Sequence, residues 1–258
     1  MLLVIDAGNT NTSLGVFRGS DLIAHWRLTT DAMRTTDEYG VHARNLFALA
    51  ELDFKGIDAI AIASVVPPLN YTLKRMAEVY FHLTPLFVDH TTDAGLRILY
   101  QPASDVGADR IVDAVAACQK YGAPCIVVDF GTATTFNALN SAGEYIGGLI
   151  TPGIMISSEA LFARTAKLPR VDIKRPQTVI GSSTVSAMQS GLYYGYAALV
   201  DGVLERMIAE LGSKPRVIAT GGLAQLIFTG SRFIELVDET LTLEGLRLVY
   251  ERQLPRIL

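Results

Sequence analysis

The sequence is short of cysteine, of basic charge and of long hydrophobic runs, and each shortage excludes a class of protein. Only two of its 258 residues are cysteines, which argues against a disulfide-stabilised extracellular scaffold and favours a reducing, cytoplasmic setting. Lys and Arg number 22 against 26 Asp and Glu, and the net charge of −4 argues against a nucleic-acid binder. The longest apolar run, residues 59–69, contains two prolines and is far shorter than the ~20 residues that cross a bilayer. We therefore expect no nucleic-acid partner and no membrane segment.

The remaining composition predicts a folded α/β protein. Half of the residues are hydrophobic and 19% are charged, so a large core is available. Short β-branched runs alternate with amphipathic stretches, a pattern typical of α/β layering with some antiparallel strands. Strands are predicted at residues 2–5, 13–17, 22–28, 59–65, 86–88, 126–129, 134–139, 145–150, 217–220 and 233–237. Helices are predicted at residues 36–52, 67–81, 108–121, 154–167, 184–211 and 242–253.

One short motif occurs twice, each time after an apolar strand. The first copy reads Asp6-Ala7-Gly8-Asn9-Thr10-Asn11-Thr12, and the second reads Asp129-Phe130-Gly131-Thr132-Ala133-Thr134-Thr135. The two copies align without a gap, and a turn into another strand follows each of them. This repetition predicts two similar lobes within one chain.

Both copies have the composition of a phosphate-binding loop. Glycine lets the backbone approach a polyphosphate, amide and hydroxyl groups donate to its oxygens, and aspartate is a ligand for Mg²⁺. A single copy would be an ordinary hairpin turn, whereas the duplication favours two loops that bind one nucleotide. The GxxxxGK[ST] and strand–GxGxxG–helix motifs are absent, which excludes the P-loop and dinucleotide-binding folds. The turn at Gly221 and Gly222 is a weaker candidate for contacts with the sugar or base of the nucleotide.

Asp109 is the candidate catalytic residue. It lies in the first turn of a predicted helix, where an acidic residue ordinarily complements the helix dipole. Next to two phosphate loops, and with Tyr100 and Arg110 nearby in sequence, it is instead suited to accept the proton of a substrate hydroxyl that attacks the γ-phosphorus. We expect the helix terminus to lower the pKa of Asp109, so that the ionised carboxylate orients the hydroxyl and takes its proton late.

The long helix predicted from residue 184 has two glycines on one face, Gly191 and Gly195. Intrachain packing and a dimer seam explain this spacing equally well. Three neighbouring tyrosines, Tyr193, Tyr194 and Tyr196, slightly favour an interface.

In this order the motifs resemble those of the type III pantothenate kinases, which belong to the superfamily of actin, sugar kinases and the Hsp70 ATPase. The resemblance spans nearly the whole chain. It rests on the two loop motifs, on Gly107-Ala108-Asp109-Arg110 and on a helical signature, Ser183-Thr184 with Met188-Gln189-Ser190-Gly191. It implies a duplicated actin-like (ribonuclease H-like) ATPase fold with two lobes of mixed sheets flanked by helices. We place these lobes at residues 1–118 and 119–258.

The resemblance also implies roles for individual residues in the phosphorylation of pantothenate to 4′-phosphopantothenate, the first step of coenzyme A synthesis. Asp109 would be the proton acceptor, Asp129 would bind a monovalent cation, K⁺ or NH₄⁺, and Asp6 would contact the Mg²⁺ that accompanies ATP. The implied ATP-binding residues are Asp6, Ala7, Gly8, Asn9, Thr10, Asn11, Thr12, Ser13 and Thr132. The implied pantothenate-binding residues are Tyr100, Gly107, Ala108, Asp109, Arg110 and Thr184.

The family implies a cytoplasmic homodimer with its substrate site near the subunit interface, consistent with a seam at the helix from residue 184. One departure is that the family usually has Asn-Pro and then Glu after Tyr100, whereas this chain reads Gln101-Pro102-Ala103-Ser104. We expect this loop to differ locally in shape while the spacing from Tyr100 to Gly107 is kept.

Two other functions stay open from the residues themselves. The loops specify ATP and not the alcohol, so an actin-fold kinase of a sugar or another small alcohol has the same motifs. A non-catalytic ATP-binding regulatory protein would use the nucleotide as a switch. Arg110 favours an anionic acceptor, and Asp109 argues against a switch, which needs no base.

Overall fold

The chain forms two compact units, each built on a five-stranded mixed sheet flanked by helices. The computed structural model describes residues 1–257, with side chains through residue 254. The first unit comprises Met1–Ala116 and the segment from Thr240 onward, and the second comprises Ala117–Glu239. The predicted fold class is confirmed. Within the described residues, no helix combines the length and apolar character that crossing a membrane requires.

The first unit carries the N-terminal sheet. Its strands are β1 (Leu2–Ala7), β2 (Asn11–Arg18), β3 (Asp21–Thr29), β4 (Ala59–Ser64) and β5 (Leu86–Phe87), in the order β3-β2-β1-β4-β5. Its helices are α1 (Thr36–Leu49), α2 (Pro67–Met76), which continues as a π-helical segment (Ala77–Phe81), and α3 (Ala108–Tyr121). Alternate residues of β1, Leu3 and Ile5, are buried in one core with Phe47 of α1 and Leu73 of α2. This period of two is what a strand with one face on a helical layer requires.

The second unit repeats the arrangement. Its strands are β6 (Cys125–Phe130), β7 (Ala133–Leu139), β8 (Tyr145–Pro152), β9 (Arg216–Thr220) and β10 (Leu236–Val237), in the order β10-β9-β6-β7-β8. Its helices are α4 (Ile154–Arg164), α5 (Thr184–Leu211) and α6 (Ala224–Phe228). Ile126 and Val128 of β6 share a core with Leu192 and Val200 of α5.

The two sheets match in register as well as in order. β1 pairs antiparallel with β2 and parallel with β4. In the same way, β6 pairs antiparallel with β7 and parallel with β9. The last pair before the turn is Ala7 with Thr12 in one hairpin and Phe130 with Thr134 in the other. The first turn is therefore one residue longer, and the ungapped alignment of the two motifs is wrong beyond the glycine.

The final helix, α7 (Leu241–Ile257), packs against β1, β2 and β4 of the first unit. Leu246 is fully buried, and Gly15 on β2 leaves room for Leu243, whose Cδ1 is 3.1 Å from where a Cβ on Gly15 would be. The expected division at residue 118 assigned this segment to the second lobe. The structure groups it with the first unit because its apolar side chains are buried on that sheet.

Candidate active site

The first loop, residues 8–11, joins β1 to β2. The N–H of Gly8 donates to the carbonyl oxygen of Asn11 at 3.0 Å and closes the turn. Asn9, Thr10 and Asn11 are exposed, so this loop presents amide and hydroxyl groups to solvent. Such a surface can donate hydrogen bonds to phosphate oxygens.

The other residues of the first motif support this loop. Ala7 and Thr12 are completely buried, so their side chains face the protein interior. Asp6 and Ser13 are partly buried and pair across the hairpin next to the loop. The predicted ATP-binding set therefore divides into exposed loop residues and buried or partly buried residues at the strand ends.

Thr30, directly after β3, holds the first loop in place. Its N–H donates to the carbonyl oxygen of Thr10 at 2.9 Å, and its hydroxyl donates to that of Gly8 at 2.7 Å. The Thr12 hydroxyl lies 2.8 Å from the Thr30 hydroxyl and is the donor of that pair, because the Thr30 hydrogen already goes to Gly8. Thr30 could not be found by an ungapped comparison of the two motifs, because both motifs end before the position that it occupies.

The second loop, residues 131–133, joins β6 to β7 and includes Thr132, which is partly buried. Asp129 precedes it and pairs with Thr135 across the hairpin, as Asp6 pairs with Ser13 in the first unit.

Two glycines enclose the carboxylate of Asp129. A Cβ on Gly221 would lie 2.4 Å from Oδ1 of Asp129 and 2.7 Å from the backbone of Phe130, and a Cβ on Gly131 would lie 3.2 Å from Oδ2. Gly221 also has φ of +91°, a conformation that favours glycine. The turn that sequence analysis considered for the sugar or base thus packs against Asp129.

Asp109 lies in the first turn of α3 and is partly buried. Burial of the carboxyl group raises the pKa of Asp109 above its ordinary value. The N–H of Arg110 donates to Oδ1 of Asp109 at 2.7 Å. This hydrogen bond and the Arg110 charge oppose the rise only in part. The expectation of a lowered pKa is wrong, because it considered the helix terminus and not the desolvation of the carboxyl group. A raised pKa makes Asp109 a stronger base than an exposed aspartate.

The segment from Gly107 to Arg110 and the first loop both contact Val65 or its neighbour Ala7 in the first unit. The N–H of Val65, directly after β4, donates to the carbonyl oxygen of Ala7 at 3.1 Å. The side chain of Val65 also packs against Gly107, with Cγ1 3.3 Å from where a Cβ on that glycine would be. A Cβ there would lie 2.5 Å from Oδ1 of Asp109, so Gly107 leaves the space that the carboxylate needs. Arg110 is buried within this region.

Tyr100 is partly buried and precedes a short 3₁₀ segment (Ala103–Asp105) that leads into α3. The departure at residues 101–104 falls at the cis Gln101–Pro102 bond and this segment. Upstream, Asp93 accepts a hydrogen bond from Nε of Arg252 at 3.2 Å on Oδ1, and its carbonyl oxygen accepts one from Nε2 of Gln253 at 2.7 Å. Helix α7 thereby anchors the beginning of the segment that carries Tyr100.

Thr184 is the first residue of α5 in the second unit and is exposed. The preceding Ser183 caps the helix, accepting a hydrogen bond from the N–H of Ser186 at 3.2 Å. Thr184 lines an open groove of about 510 Å³ between α4 and α5. The other lining residues are Leu161, Leu168, Ala187, Met188, Gly191 and Leu192.

The two glycines of α5 face open space, since a Cβ on Gly191 or Gly195 would have no neighbour within 4 Å. The three tyrosines instead make contacts within the chain. The hydroxyl of Tyr193 lies 3.0 Å from Oγ1 of Thr229, and that of Tyr194 donates to the carbonyl oxygen of Pro176 at 3.3 Å. The tyrosines therefore do not by themselves indicate an interface.

Comparisons with known proteins identify the family of this chain. The family model described as Type III pantothenate kinase matches residues 2–206. The curated type III pantothenate kinase of Koribacter versatilis (strain Ellin345) is 56% identical over 262 residues, covering 98% of this chain and 96% of that protein. The type III pantothenate kinase of Geobacter sulfurreducens (strain ATCC 51573 / DSM 12127 / PCA) is also 56% identical, covering 98% and 99%.

The fold is also similar to solved structures of distant sequence. The activator of the 2-hydroxyisocaproyl-CoA dehydratase from Clostridium difficile, solved with bound ADPNP, has a TM-score of 0.55 and 12% identity. The match covers 98% of this chain and 96% of that one, and it supports the duplicated actin-like fold.

Proposed function

Because the chain belongs to the type III pantothenate kinase family, which phosphorylates pantothenate with ATP in coenzyme A synthesis, we propose which of its residues carry out that reaction. Asp109 is the proton acceptor. The observation that carries this assignment is its position beside Gly107 and Val65, next to the first loop, together with a pKa raised by burial.

The chemistry requires alignment more than strong basicity. In phosphoryl transfer the hydroxyl attacks the γ-phosphorus while charge develops on the transferred group. The Asp109 carboxylate accepts a hydrogen bond from the substrate hydroxyl and orients it. It takes the proton as the new O–P bond forms and the bond from the γ-phosphorus to the bridging oxygen breaks, which releases ADP. Desolvation raises the free energy of the ionised carboxylate relative to the protonated one, so it favours transfer of the proton to Asp109.

ATP binding is assigned to the first loop with its supporting residues and to Thr132 of the second loop. Residues 9–11 are exposed, so phosphate oxygens can approach this loop, and Thr30 holds it through hydrogen bonds to Gly8 and Thr10. A kinase of this family uses ATP with a divalent metal ion, which neutralises phosphate charge, and Asp6 at the end of β1 is the proposed contact for that ion.

Asp129 is the proposed ligand of a monovalent cation, K⁺ or NH₄⁺. Gly131 and Gly221 leave room for the Asp129 carboxylate itself at the turn, and carboxylate oxygen is a ligand suited to such a cation. A cation beside the second loop would offset phosphate charge during transfer.

Pantothenate is assigned to Tyr100, to the segment Gly107, Ala108, Asp109 and Arg110, and to Thr184. Arg110 supplies a positive charge suited to the carboxylate of the substrate. Thr184 contributes a hydroxyl at the edge of an apolar groove, a combination typical of small-molecule sites.

A homodimer is proposed through the exposed face of α5 with the neighbouring α4. Gly191 and Gly195 permit a close approach, and α4 exposes the apolar side chains of Met155 and Ile156, which are 58% and 45% accessible. Light scattering of the purified chain tests this, with the mass of two copies expected. A cytoplasmic location also remains part of the proposal.

The deciding experiment is an ADP-release assay with Mg·ATP and pantothenate in K⁺, NH₄⁺ and Na⁺ buffers, beside a panel of sugars. We expect turnover with pantothenate only, faster in K⁺ or NH₄⁺. Asp129→Ala should remove the difference between K⁺ and Na⁺, and a surviving difference would place the cation elsewhere. Turnover with a sugar would retain the fold and refute the acceptor.

A further inference from the structure

The position that supports the first loop has a counterpart in the second unit. Thr30 follows β3, and the pairing of β2 with β3 continues through its bond to Thr10. In the second unit Pro152 pairs with Ala133, and the next residue, Gly153, stands where Thr30 stands in the first unit. Glycine has no hydroxyl, so the second loop cannot be held as the first one is.

Gly153 instead lies directly against the backbone of the second loop. A Cβ at this position would be 2.1 Å from the carbonyl oxygen of Thr132 and 2.9 Å from that of Gly131. Its φ of −71° is available to any residue, so the close approach is what requires glycine here. The position of Gly153 therefore limits where the second loop can lie.

Tyr196 on α5 forms hydrogen bonds with the backbone of Pro152 and Gly153. Its hydroxyl lies 2.9 Å from the carbonyl oxygen of Pro152 and 3.1 Å from that of Gly153. Carbonyl oxygens only accept, so the single phenolic hydrogen is shared between them. The hydroxyl of Ser157 on α4, which also contacts the Tyr196 oxygen, is then the donor in that contact.

We propose that Tyr196, with Ser157, is a positioning residue for the second loop and thereby for the phosphates of ATP. Tyr196 acts on the second loop through Gly153, whereas the Thr30 hydroxyl bonds the first loop directly. This inference rests on the proposed role of Thr132 in ATP binding.

The test uses Tyr196→Phe, which keeps the ring and removes the hydroxyl. Loss of one such hydrogen bond should raise the KM for ATP about three- to tenfold. The KM for pantothenate and the melting temperature should stay close to those of the unchanged protein. Tyr194→Phe is the matched control, because it removes a tyrosine hydroxyl from the same helix whose acceptor, Pro176, lies outside the second loop.

Two further variants keep the outcome decisive. Ser157→Ala should raise the KM for ATP less than Tyr196→Phe, and the double variant should resemble Tyr196→Phe because the two hydroxyls act as one unit. Gly153→Ala, whose Cβ collides with the loop, should give a larger increase than either. Equal effects of Tyr196→Phe and Tyr194→Phe, or equal increases in both KM values, would overturn the proposal.

Thr132→Ala separates this inference from the function on which it rests. If that variant raises the KM for ATP while Tyr196→Phe does not, the positioning role fails and the ATP site stands. If Thr132→Ala leaves the KM for ATP unchanged, the assignment of Thr132 to ATP is refuted, and the positioning role falls with it.

Discussion

The two units pair their strands in the same order and register, yet different side chains hold their loops. In the first unit Thr30 bonds its own loop through its hydroxyl and its N–H. In the second unit Gly153 takes that place, and the hydroxyl of Tyr196 bonds the carbonyl oxygens of Pro152 and Gly153. Strand order follows from backbone pairing, whereas loop support depends on single side chains. Two loops with similar motifs are therefore expected to respond differently to substitution.

The surroundings of the two aspartates differ in the same way. Asp6 pairs with Ala63 of β4, and the next residue is Ser64. Asp129 pairs with Thr220 of β9, and the next residue is Gly221. The hydroxyl of Ser64 accepts a hydrogen bond from the N–H of Val66 at 3.2 Å, a local role within its turn. Gly221 instead packs its α-carbon against the Asp129 carboxylate. The turn beside Asp129 therefore has a glycine, which has no side chain, where the turn beside Asp6 has a serine.

A third difference lies deeper in the sheets. Gly15 on β2 corresponds in register to Asn137 on β7, since each pairs with the third residue of the preceding strand. Gly15 admits Leu243, an apolar contact. Asn137 is fully buried and accepts a hydrogen bond from the hydroxyl of Tyr145 at 3.0 Å. Matching backbones thus carry an apolar contact in one unit and a polar pair in the other.

The largest effect is expected where only one of two corresponding helices carries a base. Helix α3 follows β5, the fifth strand of the first unit, and carries Asp109 in its first turn. Helix α7 follows β10, the fifth strand of the second unit, and carries Thr242 in its first turn. The Thr242 hydroxyl donates to Asp113 at 2.7 Å. Asp109→Asn should lower kcat about 10²- to 10⁴-fold with ATP affinity nearly unchanged. Thr242→Val, the control, should lower stability by about 1 kcal/mol and leave kcat near normal. Steady-state kinetics with calorimetric ATP binding decide, and an equal loss of ATP affinity in Asp109→Asn would refute the role.

The next effect concerns the turns beside the two aspartates. Gly221→Ala should lower kcat/KM for ATP about 100-fold, because its Cβ would displace the Asp129 carboxylate by a large fraction of an ångström. It should also lower the free energy of unfolding by about 1–3 kcal/mol, given its positive φ. Ser64→Ala at the corresponding place should change either quantity little. Denaturant titration and kinetics of both variants test this, and similar behaviour of the two would remove the distinction.

The pH dependence of turnover tests the burial of Asp109. The proposed base must be ionised, so kcat/KM for pantothenate, which reports the pKa of the free enzyme, should fall about tenfold per pH unit below that pKa. Since burial raises that pKa, the acid limb should lie above the value of about 4 that is typical of an exposed aspartate. The limb should be missing from the residual activity of Asp109→Asn, whereas titration of ATP itself affects both proteins. A limb at or below pH 4 would contradict the raised pKa.

The smallest effect compares the two loop supports directly. Thr30→Val keeps the side-chain shape and removes the hydroxyl that bonds Gly8, which should raise the KM for ATP about three- to tenfold. The N–H of residue 30 would still bond Thr10, so the loop should loosen without being lost. Thr29→Val, at the neighbouring end of β3, is the control and should leave this constant unchanged. An unchanged KM in Thr30→Val would mean that the first loop needs no side-chain support.

Much of this architecture was predictable because its signals are local. Apolar runs ending in Asp and Gly marked both hairpins, and the amphipathic run after Gly107 marked α3. β10 was predicted at residues 233–237 and forms only at Leu236–Val237, since residues 233–235 do not pair in a regular ladder. The helix predicted at residues 154–167 ends at Arg164, three residues earlier than expected.

The features that were missed depend on contacts between distant residues. The pKa of Asp109 is set by the residues that desolvate its carboxyl group, which its position in a helix does not reveal. Thr30 and Gly153 occupy corresponding positions only when the two motifs are aligned with a one-residue gap in the second turn. The strand pairing shows this gap, and the motifs alone do not. Tyr196 lies on a helix whose placement over Gly153 follows from the packed core of the second unit.

The return of α7 to the first sheet has a consequence for biosynthesis. The second unit is continuous in the chain, so all its strands have left the ribosome before the segment from Thr240 emerges. The first unit begins earlier but lacks α7, the helix that packs against β1, β2 and β4, until the segment from Thr240 has been synthesised. Domains made during synthesis ordinarily complete in the order of the chain. Here we expect the reverse, in which the second unit completes its fold first, and the face of the first sheet that α7 covers stays exposed until α7 has been synthesised.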